Sequence, residues 1–321
     1  MENRVLVTGA TGFVGRELCA RLVSAGKDVV AVGRGGDLGD LTGRSGLAYR
    51  QLDLETDDLQ QLFSDGIDAV VHLAGQAHGK GGSERQELDG FRRANVNVTL
   101  RLAEAAIKAD VRRFVFVSSI GVHGTATTGK AISESTPLSP ASPYTQSKME
   151  AEVELTRLFD GVGSSEFVIV RPPLVYGEKA PGNFGSLLRL ANSPAPLPFG
   201  MCSNRRSLIS VGTLSDFLIT CIQSTEAGNQ AFVVADSSAV STADIVSSLR
   251  RGMNRSERLI PVPASLVAIA LRLVGKREMY TQLFCDLEID NEKAKRLDGW
   301  APCDNTRSEL ETVGKLFYES Q

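Results

Sequence analysis

Short runs of β-branched and aliphatic residues alternate with longer segments of helical period along the first half of the chain. "RVLVTG" opens as a strand, and "GRELCARLVSAG" follows with apolar residues at helical spacing as far as Gly26. "DVVAVG" reads as a strand, "AYRQLD" as a weaker one, and "ETDDLQQLFS" as a helix. Next come a strand at "DAVVHLAG", a long helix over "DGFRRANVNVTLRLAEAAIKAD" and a strand at "RFVFVSS". A helix over "SPYTQSKMEAEVELTRLF" and a strand at "EFVIVRP" complete the series. Short apolar strands separated by helices predict an α/β fold with a parallel sheet covered on both faces. Right-handed crossovers then make the sheet doubly wound.

The texture changes after "RPPLVYG", where Pro172, Pro173, Pro181, Pro194, Pro196 and Pro198 crowd a short span. A boundary near 175 follows, with residues 1–175 as the first unit and 176–321 as a smaller lobe. The segment "RSLISVGTLSDFLITCIQ…QAFVVAD", about 208–236, reads as a helix and strand returning to the main sheet, which brings the strand count to seven. "PVPASLVAIALRLVG" (261–275) is the most apolar stretch. It is too short to span a bilayer, and the reading favoured for it is a buried helix over one lying on a membrane surface.

Composition narrows the class. The 321 residues are 42% hydrophobic and carry a net charge of −3, with acids and bases interspersed. No basic run suits nucleic acid. No apolar run is long enough for a membrane span, and the first residues open into a strand with no signal-like segment. Five scattered cysteines without CxxC spacing read as reduced thiols, so a cytoplasmic setting is expected. His72, His78 and His123 have no metal-ligand spacing, and no metal is expected.

Gly9, Gly12 and Gly15 stand at the junction of the first strand and first helix. In that context Gly9 permits a sharp turn, Gly12 lets the backbone approach a pyrophosphate, and Gly15 allows close helix–strand packing. The helix N-terminus offers free N–H groups to the anion. The fold is therefore a Rossmann-type sheet binding a dinucleotide. An acid at the end of the second strand would hold the ribose hydroxyls of NAD. Here that end is Gly33–Arg34, and the nearest acid, Asp37, lies in the following loop. A guanidinium suits a 2′-phosphate, so Arg34 favours NADP(H), with Arg16 in support and NAD as the alternative.

Ser118 and Ser119 end the strand "RFVFVSS", where ligands of such sheets bind. In "SPYTQSK", Ser142 is a candidate N-cap and Pro143 fits the first helical position. Tyr144 and Lys148 then share one helix face. The ammonium and the helix dipole are expected to lower the tyrosine pKa and fit it for proton transfer. With Ser119 on the same oxygen, the set suits hydride transfer between a nicotinamide and a carbonyl carbon. Asn95, on the long helix, could steady a water or the lysine.

The combination "TGATGFVG", "LDL" (52–54), "HLAG", "NVNVT", "VSSIGVHG", "YTQSK", "RPPLVYG" and "RRSLISVGTLSDF" resembles the extended short-chain dehydrogenase/reductase family, in its nucleotide-sugar epimerase, dehydratase and reductase branch. The resemblance covers roughly residues 4–217. It implies a catalytic triad of Ser119, Tyr144 and Lys148. It implies cofactor contacts from Gly9, Thr11, Gly12, Phe13, Val14, Gly15 and Arg34, and from Asp53 and Leu54 at the adenine. Leu73, Ala74, Gly75, Asn95 and Pro172 complete that set. Ser119, Asn183 and Arg206 are the implied contacts to a nucleoside-diphosphate sugar, and a homodimer is expected.

Dehydratases of this branch carry an Asp-Glu pair after the strand-end hydroxyl residue, whereas Ser119 is followed by Ile120 and Gly121. The first reading is therefore an NADP(H)-dependent reductase of a UDP-linked 4-keto-6-deoxy, N-acetylated hexose for surface polysaccharide. The alternative is a UDP-sugar 4-epimerase acting on UDP-glucose or UDP-N-acetylglucosamine with tightly bound NAD. A non-catalytic dinucleotide sensor is the remote third, disfavoured by the intact Tyr–Lys pair.

Overall fold

The computed structural model describes residues 4–36, 38–77, 79, 81, 83–273 and 277–321. Asp37 and His78 lie outside the described residues. Strands β1 (Arg4–Thr8), β2 (Asp28–Gly33), β3 (Leu47–Gln51), β4 (Ala69–His72), β5 (Arg113–Val117) and β6 (Glu166–Arg171) enter one sheet in sequence. A short pair, β7 (Leu174–Tyr176) and β8 (Leu208–Ser210), forms a separate parallel ribbon, and β9 (Gln230–Val233) rejoins the main sheet. The seven-stranded order is β3-β2-β1-β4-β5-β6-β9, every neighbour parallel. The order reverses beside β1, which opens a crevice at the carboxyl ends of β1 and β4.

Alternate residues of each strand feed two cores. Val5, Val7, Val115 and Val168 face α1 (Phe13–Ser24) and α6 (Val211–Gln223). Leu6, Val70, Phe114 and Ile169 face α3 (Val98–Lys108) and α4 (Pro143–Phe159). Beyond β7 the chain builds a third core from α5 (Gly182–Asn192), α7 (Thr242–Gly252) and α10 (Thr306–Glu319), around Phe184, Leu188, Leu249 and Leu310. Ala294, Leu297 and Trp300 cross back onto the first core; the Trp300 indole packs edge-on against Phe217 at 4.8 Å and donates to the Thr213 carbonyl at 3.1 Å.

Three elements differ from the sequence reading. The helix expected over 55–64 is only a single tight turn, Gln60–Leu62. Aspartates hold the backbone there in local loops: Asp53 accepts from Glu55 N, Asp57 from Asp53 N and Asp58 from Gln60 N, at 2.8–3.0 Å. The single long helix over 89–110 starts earlier, as α2 (Glu84–Phe91) behind a Ser83–Gln86 capping box. It then passes through a π-helical segment, Arg92–Asn97, before α3. The apolar stretch after Pro261 is not buried. It forms α8 (Ala264–Leu273), which packs on α9 (Arg277–Phe284) and leaves Leu266, Ile269 and Leu273 in solvent.

Candidate active site

Gly9 lies at φ +67, and a Cβ there would stand 2.8 Å from Ala74 N, so a side chain is excluded at the turn leaving β1. A Cβ on Gly15 would reach 2.2 Å from the Gly9 carbonyl, so α1 starts in direct contact with that turn. Gly12 is the N-cap of α1 and brings no side-chain cap, which leaves the helix's first N–H groups turned to the crevice. The crevice encloses about 650 Å³. Gly9, Thr11, Gly12, Arg34, Asp53, Leu54, Leu73, Ala74 and Gly75 line it.

Other residues implied as cofactor contacts sit behind the wall. Val14 and the buried Gly15 belong to the α1 packing, and Phe13 packs against Gly177 at the edge of the lobe. Pro172 is buried and accepts Ile120 N at 2.9 Å. Asn95 is fully buried and held by the protein. It bridges Gln76 N (2.8 Å), Gln76 O (3.0 Å) and the Ser147 hydroxyl (3.0 Å), clamping the loop after β4 to α4. The crevice also takes Gln86, Glu87 and Arg93 from α2 and the π-helical segment, which the sequence reading missed. The Ser83–Gln86 capping box was the one local sign that a helix began there.

At the end of β2, a Cβ on Gly33 would meet Thr11 Cγ2 and the Tyr49 hydroxyl, both at 3.0 Å. Arg34 is the first side chain able to project there; it is exposed and lines the crevice. Arg16 donates from Nε to the Thr11 carbonyl at 3.1 Å.

Ser119, Tyr144 and Lys148 come from two places in the chain, the end of β5 and the first turns of α4. Ser119 caps the short helical turn Ile120–His123, its Oγ accepting Gly121 N at 3.1 Å. Tyr144 is the second residue of α4, started by the Ser142–Thr145 capping box and Pro143. Its phenol hydrogen-bonds Ser119, and its ring stands edge-on to Phe91 at 5.9 Å. One turn further, Lys148 Nζ donates to the Val117 carbonyl at 2.9 Å and lies 4.6 Å from the centre of the Phe116 ring. The Ser118 hydroxyl beside them is buried without a partner.

The electrostatics correct one expectation. Burial raises the Tyr144 pKa, and the bond to Ser119 offsets this only in part. The ammonium expected to lower it is turned to Val117. Burial lowers Lys148 to about 8, and the Glu152 carboxylate opposes the shift. Glu152, one turn along α4, is 3% exposed and grips Arg171 through three bonds of 2.6–3.2 Å; Arg171 in turn bonds His123 at 3.0 Å. His72 is neutral, lowered to about 3 by burial and then by Lys148. Thr99 donates to the Asn95 carbonyl (2.5 Å), so it accepts from His72 Nε2–H (2.9 Å), and Nδ1 accepts from Thr8 (2.7 Å).

Arg206 is buried, lowered by burial, and donates to the carbonyls of Thr281 and Cys285 at 3.2 and 2.8 Å. Asn183 donates to Gln282 at 3.0 Å. Both residues are thus tied to α9 and its C-terminal end rather than to the crevice. Among the described residues no His/Cys/Asp/Glu cluster could hold a metal, and all five cysteines are free thiols.

Residues 5–235 match the model of the NAD dependent epimerase/dehydratase family. The chain belongs to this family. It is 34% identical to a UDP-glucose 4-epimerase of Vibrio cholerae over all of this chain and 97% of that protein. It is 30% identical to a UDP-glucose 4-epimerase of Mycolicibacterium smegmatis over 93% of each. Among solved structures, MoeE5 in complex with UDP-glucose and NAD superposes over 99% of both chains, with TM-score 0.79 and 25% identity. The crevice fits the dinucleotide of this family: an uncapped helix N-terminus for the pyrophosphate and a cradle that a Cβ would fill; Ser119, Tyr144 and Lys148 do not line it, but its Gly75 wall adjoins Lys148, where a Cβ would stand 3.5 Å from Nζ. These relatives favour the epimerase reading of the sequence over the reductase reading placed first. The enzyme is an NAD(P)-dependent nucleotide-sugar enzyme of the short-chain dehydrogenase/reductase type.

Proposed function

We propose that the protein is a UDP-sugar 4-epimerase, inverting C4 of a UDP-linked hexose. The observation that carries this is the Ser119–Tyr144–Lys148 cluster behind the Gly75 wall of the crevice, in a chain aligned along its whole length with a UDP-glucose 4-epimerase. The bound nicotinamide supplies the hydride acceptor and donor. Tyr144 takes the proton of the C4 hydroxyl and returns it to that same oxygen after the keto sugar has turned the opposite face of C4 towards the hydride, while Ser119 holds the oxygen. Lys148, cationic at neutral pH with its pKa near 8, ties the start of α4 to the end of β5 through the Val117 carbonyl and so positions Tyr144 beside Ser119. Ile120 and Gly121 offer no acid or base for eliminating water. Arg206 and Asn183 are the proposed anchors for the nucleoside diphosphate, and the free thiols suit a cytoplasmic enzyme.

One observation favours the 4-keto reductase as a second reading. Arg34, not an acid, follows the last residue of β2, which suits NADP and a cofactor that is released. The experiment is to incubate purified protein with UDP-glucose and UDP-N-acetylglucosamine without added cofactor. The 4-epimer, with a dinucleotide copurifying, supports the epimerase. No epimer, together with NADPH oxidation on UDP-2-acetamido-4-keto-6-deoxyglucose, replaces it with the reductase.

A further inference from the structure

A second surface, remote in sequence from the triad, has a use of its own. On α8, Leu266, Ile269 and Leu273 are 57%, 56% and 82% exposed, at i, i+3 and i+7 of one helix face. Ile260 and Met201, both exposed, adjoin its start. Gly200 N donates to the Ile260 carbonyl at 3.0 Å, and Ile260 leads through Pro261 and Pro263 into the helix. Single exposed apolar side chains are ordinary, but a contiguous face marks an interaction site.

Cations border this face. Arg272 is exposed on α8 itself. Arg258, exposed and at φ +39, turns the chain two residues before the exposed Ile260, and the bonds of Arg258 and Ile260 run to Leu197. Arg258 lines a depression of about 270 Å³ with Arg250 and Arg255. Arg250 is committed to the carbonyls of Ala191, Ser193, Ala195 and Glu257, and Arg255 to Asn192. Arg258 makes no ion pair among the described residues, and the nearest exposed acid in the segment is Glu257.

We propose that this face docks the enzyme on an anionic phospholipid surface. Leu266, Ile269 and Leu273 enter the headgroup–acyl boundary, and Arg258 and Arg272 meet lipid phosphates. The ten-residue helix is too short to cross a bilayer but suits one lying in its interface plane. A second copy fits worse. A two-fold contact would set the arginine rim against itself, and five apolar side chains fall far short of the roughly 20–30 residues a side of a stable interface. The docking is independent of which sugar reaction the enzyme performs.

The test is sedimentation of the full-length protein with vesicles of phosphatidylcholine alone or mixed with phosphatidylglycerol, at low and high salt. The protein is expected to pellet with the anionic vesicles at low salt, and about tenfold less with neutral vesicles or high salt. The L266E/I269E double variant and R258E should each lose binding by about tenfold or more, with cofactor titration unchanged. A wild type that stays in the supernatant, or a double variant that binds as well as wild type, overturns the proposal. So does a wild-type dimer that L266E/I269E splits without any vesicle binding, since a second copy would then cover the face.

Discussion

Replacing Lys148 by methionine is expected to stabilise the protein at neutral pH while ending its chemistry. Burial lowers the lysine from 10.5 to about 8. At pH 7 it is charged both folded and unfolded, so the depression corresponds to about 3 kcal/mol of lost stability, at about 1.36 kcal/mol per pH unit. Methionine has similar length and retains the packing on Phe116. It leaves the Val117 carbonyl without its donor, at about 1–3 kcal/mol. Glu152 keeps its bonds to Arg171. The variant should therefore gain about 1 kcal/mol at pH 7. The pH dependence decides the matter. Because the folded pKa lies below the unfolded one, the unfolded chain binds more protons between about pH 8 and 10.5, and wild-type stability rises with pH through that window. By pH 9.5 the wild type recovers about 2 kcal/mol relative to the variant, which turns the variant's advantage into a deficit. Urea unfolding of both proteins at pH 7 and 9.5 measures this, since titrations common to both cancel in the difference. A stability difference that stays constant between the two pH values refutes the reasoning.

Tyr144→Phe should lower turnover by about 10²–10⁴-fold with dinucleotide affinity unchanged; a variant within tenfold of wild type would mean that the proton comes from another group. Arg34→Asp should shift the NADP-to-NAD affinity ratio towards NAD by about tenfold to a hundredfold, read by titrating both cofactors into both proteins. Glu152→Gln leaves the Arg171 charge buried without its carboxylate and should cost about 3–5 kcal/mol in urea unfolding, whereas an exposed pair such as Arg157–Glu154 should give under about 1 kcal/mol when broken.

The legible parts of this protein are those where a local backbone need dictates residue type. The turn at Gly9 needs positive φ, the start of α1 needs Gly15, and the start of α4 needs Ser142 and Pro143, so each left a signature in the sequence. The seven parallel strands followed from alternating strands and helices, while their order, β3-β2-β1-β4-β5-β6-β9, came from the structure. What failed depended on contacts between distant segments. The aspartates at 53, 57 and 58 compete with a helix through their own side chains. Asn95 reads as a polar helix residue, but its partners Gln76 and Ser147 lie 19 and 52 residues away. The Tyr144 pKa was misjudged because spacing along α4 placed an ammonium near the phenol, while the three-dimensional environment turned it to Val117. Apolar composition in α8 suggested burial, but helix packing supplies cover on one side only.

The Ser–Tyr–Lys cluster cannot by itself separate the two sugar reactions. Epimerisation at C4 is an oxidation followed by a reduction at the same carbon, so it uses the same hydride and the same proton as a simple reduction. The distinction must arise where the cofactor and the sugar nucleotide are held. At the cofactor end, Thr11 and Tyr49 deny Gly33 a side chain, which leaves Arg34 as the first residue able to read the adenine ribose. At the proposed sugar-nucleotide end, Arg206 and Asn183 both bond to α9, so the position of that helix sets both anchors together. Reaction outcome should therefore follow substitutions at Arg34 and along the α9 contact, while substitutions in the triad lower either reaction alike.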